Sequence, residues 1–192
     1  TQMITKGLDF ESVQLVGVVN ADHLLNFPDF RANERAYQLM TQVAGRAGRR
    51  KEQGQVIIQS GRPEHPVLQW VKSSDYQQMY SAELLDREAF GYPPFKRLIK
   101  ISCKHKDALE LHKAVQKVKP VLQSCFGDRI LGPEKPYVSK IRNWYIMNFL
   151  LKTDNQSTAL QKDKALLLKN IDQFEQDKSF KGIRWSLDVD PI

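Results

Sequence analysis

Val13-Gln14-Leu15-Val16-Gly17-Val18-Val19 is a nearly continuous β-branched apolar run, the pattern of a parallel strand buried on both faces. It predicts a central strand of an α/β sheet. Beyond the turn-rich Asn26-Phe27-Pro28-Asp29 segment, Ala32, Ala36, Leu39, Met40 and Val43 recur at three- and four-residue spacing. That spacing predicts an amphipathic helix, with Asp29 placed to cap its start and Gly45 beginning its end. After the polar loop 49–54, Gln55-Val56-Ile57-Ile58-Gln59 reads as a second strand. Strand, helix, strand implies a right-handed crossover. Pro66 then opens a long helix to about Phe90, ended by Gly91 and Pro93-Pro94. The boundary falls there, giving domains 1–92 and 93–192.

The second domain has cleaner periodicity. Ile99, Ile101 and Cys103 alternate with Lys100 and Ser102, a half-buried strand. Leu111, Val115, Val118 and Leu122 mark a helix face, followed by a short strand at 129–131, a Gly-, Pro- and Lys-rich loop over 132–142 and a long strand over 144–151. Leu160, Leu167, Ile171 and Phe174 give a last helix, with Lys164 interrupting the stripe. Ile183, Trp185, Leu187 and Val189 then face one way, and Arg184, Ser186, Asp188 and Asp190 the other. The order βαββαβ is the split βαβ arrangement of ferredoxin-like folds, an antiparallel sheet with both helices on one side. The fold class is therefore α/β, a parallel sheet with helices, followed by an α+β domain.

With 192 residues, 41% of them apolar and 27% charged, the chain has the composition of a globular protein of one large or two small domains. It carries no apolar run long enough to span a bilayer, and its polar opening lacks a signal peptide's pattern. Two cysteines, Cys103 and Cys125, supply neither a disulfide framework nor a zinc knuckle. A cytoplasmic protein with no membrane partner is expected. Residues 1–92 have net charge −1 and residues 93–192 net charge +8. Such an asymmetry suits a second domain facing a polyanion, because clustered cations displace counterions from a phosphate backbone.

No Gly-x-x-x-x-Gly-Lys-Ser/Thr phosphate loop occurs, so the chain by itself is expected to hydrolyse no nucleotide. The four histidines include no i, i+4 metal pair, and no metal site is predicted. The most specific string is Gln42-Val43-Ala44-Gly45-Arg46-Ala47-Gly48-Arg49. Two arginines three residues apart, separated by small residues, can bring two forked guanidiniums toward one phosphoryl group. Thr1-Gln2-Met3-Ile4-Thr5-Lys6-Gly7-Leu8-Asp9-Phe10 places a hydroxyl, a cation, a glycine and an acid before the first strand.

In this order and spacing the two strings resemble motifs V and VI of superfamily 2 helicases. Together with Phe30-Arg31-Ala32, Glu34-Arg35, Leu131-Gly132-Pro133 and the ending Trp185-Ser186-Leu187-Asp188-Val189-Asp190-Pro191, they resemble the primosomal replication-restart helicase family, from the second motor lobe to the C-terminal domain. The resemblance covers essentially the whole chain. It implies the C-terminal part of a RecA-like lobe 2 over 1–92, and a DNA- and partner-binding domain over 93–192. The Leu187-to-Pro191 ending argues against a recombination or repair helicase that shares only the motor motifs. A free-standing nucleic-acid-binding or protein-docking module with a degenerate motor lobe is the alternative.

The resemblance also assigns roles. Arg46 and Arg49 would act as arginine fingers on the γ-phosphate of ATP, with Gln42 positioning Arg46 and the attacking water. Gly7 and Asp9 would face the nucleotide, while Thr5 and Lys6 would couple its state to the DNA backbone. ATP and Mg would be held mostly by a first lobe, and zinc by a cysteine-rich insertion, both upstream. Lys135, Lys140 and Arg142, beside Trp144 and Tyr145, offer cations and aromatic faces to DNA. Trp144 and Tyr145 are adjacent in a strand, so at most one can be a stacking platform. Partners implied are single-stranded and forked DNA, the single-stranded-DNA-binding protein and other primosome proteins.

Overall fold

The computed structural model describes residues 13–45, 47 and 54–191. The chain divides into two compact units between Asp86 and Arg87. In the first, β1 (Leu15–Val18) pairs in parallel with β2 (Gln55–Ile58), Leu15 facing Gln55 and Val18 facing Ile58. Between them come the short helix α1 (Asp22–Leu25) and α2 (Ala32–Ala44); α3 (Pro66–Ser73) and α4 (Tyr76–Ala89) follow. Ala36, Tyr37 and Met40 of α2 pack with Val67, Leu68 and Val71 of α3 and Met79 of α4, and Val18 and Ile58 rest on this cluster.

Three features of this unit differ from expectation. Among the described residues β1 is covered on one face only: Val16 and Val18 are half-buried, while Leu15 is exposed. Among the described residues the run of apolar side chains meets just one packing layer. Asp29 is not the cap of α2, whose N-cap residue is Arg31. Its carboxylate instead accepts from the Arg31 backbone N–H at 2.8 Å and pairs with Arg35 at 2.9 Å, bracing the approach to the helix. The single helix over 66–90 is two helices, because Ser74 adopts a left-handed φ of 56° and ends α3. Asp75 restarts the chain, its side chain accepting from the Gln78 N–H at 2.9 Å in the manner of a cap.

The second unit follows the order β3 (Lys96–His105), α5 (Ala108–Phe126), β4 (Ile130–Glu134), β5 (Lys140–Ile141), β6 (Trp144–Asp154), α6 (Ser157–Gln176) and β7 (Arg184–Val189). The sheet order is β4-β6-β3-β7, all antiparallel, with β5 a short hairpin arm on β6. Both helices lie on one face. Ile99, Ile101 and Cys103 of β3 and Phe149 and Leu151 of β6 form one core with Val115, Val118 and Leu122 of α5 and Leu167, Ile171 and Phe174 of α6. Phe174, Phe180 and Trp185 close its end, with ring centroids 5.1 to 6.3 Å apart.

Local chemistry fixes these elements. Asp107 caps α5, its carboxylate accepting from the N–H groups of Leu109 at 2.7 Å and Glu110 at 3.2 Å. Gly127, at φ 59°, turns the chain out of that helix. Between Leu131 and Glu134 the pairing of β4 with β6 shifts register at Gly132-Pro133. Gly132 stands at φ 108°, so close to β6 that an added Cβ would lie 2.7 Å from the Asn148 carbonyl oxygen. The α6 stripe includes a carboxylate, Asp163, only 8% exposed. Arg129 donates to both of its oxygens and Thr153, fully buried on β6, donates to one. The contact ties α6 to the sheet.

Candidate nucleic-acid interface

Strand alternation separates the two faces of the C-terminal sheet. Tyr145, Met147, Phe149 and Leu151 of β6 point into the core beneath the helices. Trp144, Ile146, Asn148, Leu150 and Lys152 therefore take the opposite, helix-free face. The antiparallel register sets Ser102 against Asn148 and Ser186, and Lys104 against Ile146 and Arg184. The chain before β3 reaches the far end of this surface, where the Lys152 ammonium lies 4.1 Å from the Tyr92 ring centroid and donates to the Phe90 carbonyl. Burial there lowers the Lys152 pKa.

Three other cations at that end have carboxylate partners. Lys96 pairs with Asp154, Arg97 with Asp190, and Lys100 with Asp188 at 3.2 Å. At the opposite end the pattern changes. The Arg184 guanidinium stands 4.3 Å, and the Lys106 ammonium 5.7 Å, from the centroid of the Trp144 ring. Among the described residues neither they nor Lys104 has an acidic partner. Lys106 and Arg184 are exposed, and Trp144 and Lys104 half-buried. Lys104, Lys106 and Arg184 were not singled out in the sequence, because nothing in the linear order sets a residue of β7 beside the start of β6.

The cations that the sequence points to lie on and around the β5–β6 hairpin. Lys140 reaches Tyr145 on the other side of the sheet, its ammonium 4.6 Å from the ring centroid and 3.3 Å from the phenol oxygen. Arg142 and Asn143 form the two-residue turn between β5 and β6, at φ 46° and 65°. Paired positive φ values are those of a type I′ hairpin turn, natural for asparagine and sterically costly for arginine. Lys135 is exposed in the loop after β4. Trp144 and Tyr145 thus diverge, the tyrosine half-buried against the core and the tryptophan on the helix-free face.

In the first unit, Gln42 is exposed on the last turn of α2. A cavity of about 530 Å³, lined by Ala44, Val56, Ile58, Leu68, Val71 and Lys72, adjoins the end of that helix. Thr5, Lys6, Gly7, Asp9, Arg46 and Arg49 lie outside the described residues. Among those described, no group of three or more His, Cys, Asp or Glu side chains could hold a metal ion. Among the described residues no helix is long and apolar enough to cross a membrane.

By its strand order and one-sided helices, the second unit is a ferredoxin-like α+β sandwich, preceded by an α/β unit with a parallel strand pair. Residues 88–192 match the family described as primosomal protein N C-terminal domain, and the chain belongs to that family. Across its whole length it is 38% identical to the replication restart protein PriA of Bacillus subtilis, 44% to that of Synechocystis and 39% to that of Haemophilus influenzae. It spans 24%, 22% and 26% of these relatives, about a quarter of their length.

Proposed function

We propose that this chain is the C-terminal part of an ATP-dependent 3′-to-5′ DNA helicase that reloads the replication machinery at stalled forks. The observation that carries the reading is the correspondence of the entire chain, at 38 to 44% identity, with proteins named for replication restart. Residues 1–92 contribute the second motor lobe and residues 93–192 a DNA- and partner-binding domain. ATP with Mg occupies a cleft against a first lobe. There Arg46 and Arg49 meet the charge that develops on the γ-phosphoryl group, Gln42 positions Arg46 and the attacking water, and Gly7 and Asp9 face the nucleotide. Thr5 and Lys6 link that cleft to the DNA backbone. Lys135, Lys140 and Arg142 contact phosphates, and Trp144 rather than Tyr145 is the aromatic available to a base. Zinc belongs to a separate cysteine-rich segment. Single-stranded-DNA-binding protein and other primosome proteins are the partners.

The motor role is tested in a protein of the relatives' full length that includes this chain. Arg46→Ala is expected to lower DNA-stimulated ATP turnover by about 100-fold or more while sparing DNA affinity, as for a group acting mainly in the transition state. Equal losses in binding and turnover would refute the finger role. The 192-residue chain alone is expected to show no ATP hydrolysis.

A further inference from the structure

Neutralisation of the helix-free sheet face is uneven. Lys96 and Lys100 are paired with Asp154 and Asp188, whereas Lys104, Lys106 and Arg184 lack a carboxylate among the described residues, and two of them converge on one indole. Lys104 and Arg184 face each other across adjacent strands and Lys106 follows two residues after Lys104, so the surface carries a self-repulsion that folding does not relieve. A polyanion would relieve it.

We propose that this face binds an unpaired nucleic-acid strand, with phosphates against Lys104, Lys106 and Arg184 and one base stacked on Trp144. The inference rests on the DNA-binding reading above, shares its base platform Trp144, and moves the phosphate contacts from the β5 hairpin cations to the sheet face. The ring favours a strand over other polyanions. An acidic peptide needs the cations alone, and a duplex presents phosphates with its bases already stacked, leaving the indole unused. A single strand uses both, since any base offers a π face and each phosphate a charge. Arg184, now 4.3 Å from the ring centroid, is close enough to exchange the indole for a phosphate as the base arrives.

The test uses the whole 192-residue chain and a fluorescein-labelled thymidine oligonucleotide of about 15 residues, followed by anisotropy between 50 and 200 mM salt. A strand releases about 0.7 counterions per neutralised phosphate, so the triple variant K104A/K106A/R184A should flatten the log–log salt slope by about 2. Trp144→Ala should weaken binding about 5- to 150-fold with the slope kept, as expected for one lost stacking contact. Trp144→Phe should restore part of the affinity, which guards against a folding defect in the alanine variant. K135A/K140A/R142A provides the comparison. Weakening by that variant with no effect of the sheet-face triple would leave the DNA-binding reading standing and overturn this site. Absence of any binding by the wild-type chain at 50 mM salt would sink both. Equal affinity for a duplex of the same length, or for an aspartate-rich peptide of the same charge, would overturn the assignment to an unpaired strand.

Discussion

Replacing Asp163 with asparagine removes one charge from the contact that pins α6 to the sheet. The native carboxylate accepts from Arg129 through both oxygens and from Thr153, with its side chain 11% exposed, while Arg129 remains 42% exposed. Stranding a charge in a fully buried pair costs about 3–5 kcal/mol. Here the guanidinium keeps its water, so that penalty does not apply in full. What is lost is a charge-assisted, two-pronged hydrogen bond, about 1.5–3 kcal/mol, offset in part by the asparagine carbonyl, which still accepts one bond. A net loss of about 1–2 kcal/mol is expected. Burial pushes the Asp163 carboxyl up, but hydrogen bonds from Arg129 and Thr153 outweigh it and hold the pKa below the ordinary 3.8. A carboxyl depressed in the fold adds stability that is complete above its unfolded value and disappears as pH falls through the native one. The gap between wild type and Asp163→Asn should therefore be full at pH 7 and close below about pH 4. Amide exchange at Ile101 and Phe149 reads the opening of the second unit without interference from the first. Equal protection at pH 7, or a gap that widens on acidification, would refute the reasoning.

Two further outcomes follow from the same core. Gly132→Ala would force a Cβ to 2.7 Å from the Asn148 carbonyl and 3.2 Å from the Phe149 Cα, both backbone atoms of β6, at a φ of 108° that disfavours side chains. A loss of at least about 1–3 kcal/mol in urea unfolding is expected, and a shift under about 0.5 kcal/mol would contradict the close approach. Cys103 is fully buried, and burial pushes its thiol pKa up to about 12. At pH 8 it should therefore be modified by an aromatic disulfide only at the rate of unfolding, as read by peptide mapping; rapid labelling of Cys103 in the folded chain would be inconsistent with this core.

The parts of the fold legible in the sequence were those where one covered face left a mark. β3 and β7 alternate because one side meets helices and the other does not, and from those strands and two striped helices the βαββαβ order follows. The first unit was harder, since an apolar run such as Val13–Val19 states how many neighbours a strand can take and not how many it has. The break at Ser74 had a weak signal in Ser73-Ser74-Asp75, which contains neither glycine nor proline. For the site, β6 did hold its own answer. Tyr145, Met147, Phe149 and Leu151 form an unbroken apolar set, whereas Asn148 and Lys152 share the parity of Trp144. A strand can bury a hydroxyl or amide, but it hides a lysine only when forced, so that parity marks the helix-free face and puts the tryptophan there. Joining Trp144 to Lys106 and Arg184 needs more: β6 and β7 never pair, and they are brought together only because β3 lies between them in register with both. That information resides in the strand order, which the ferredoxin-like topology supplies and no local stretch of sequence contains.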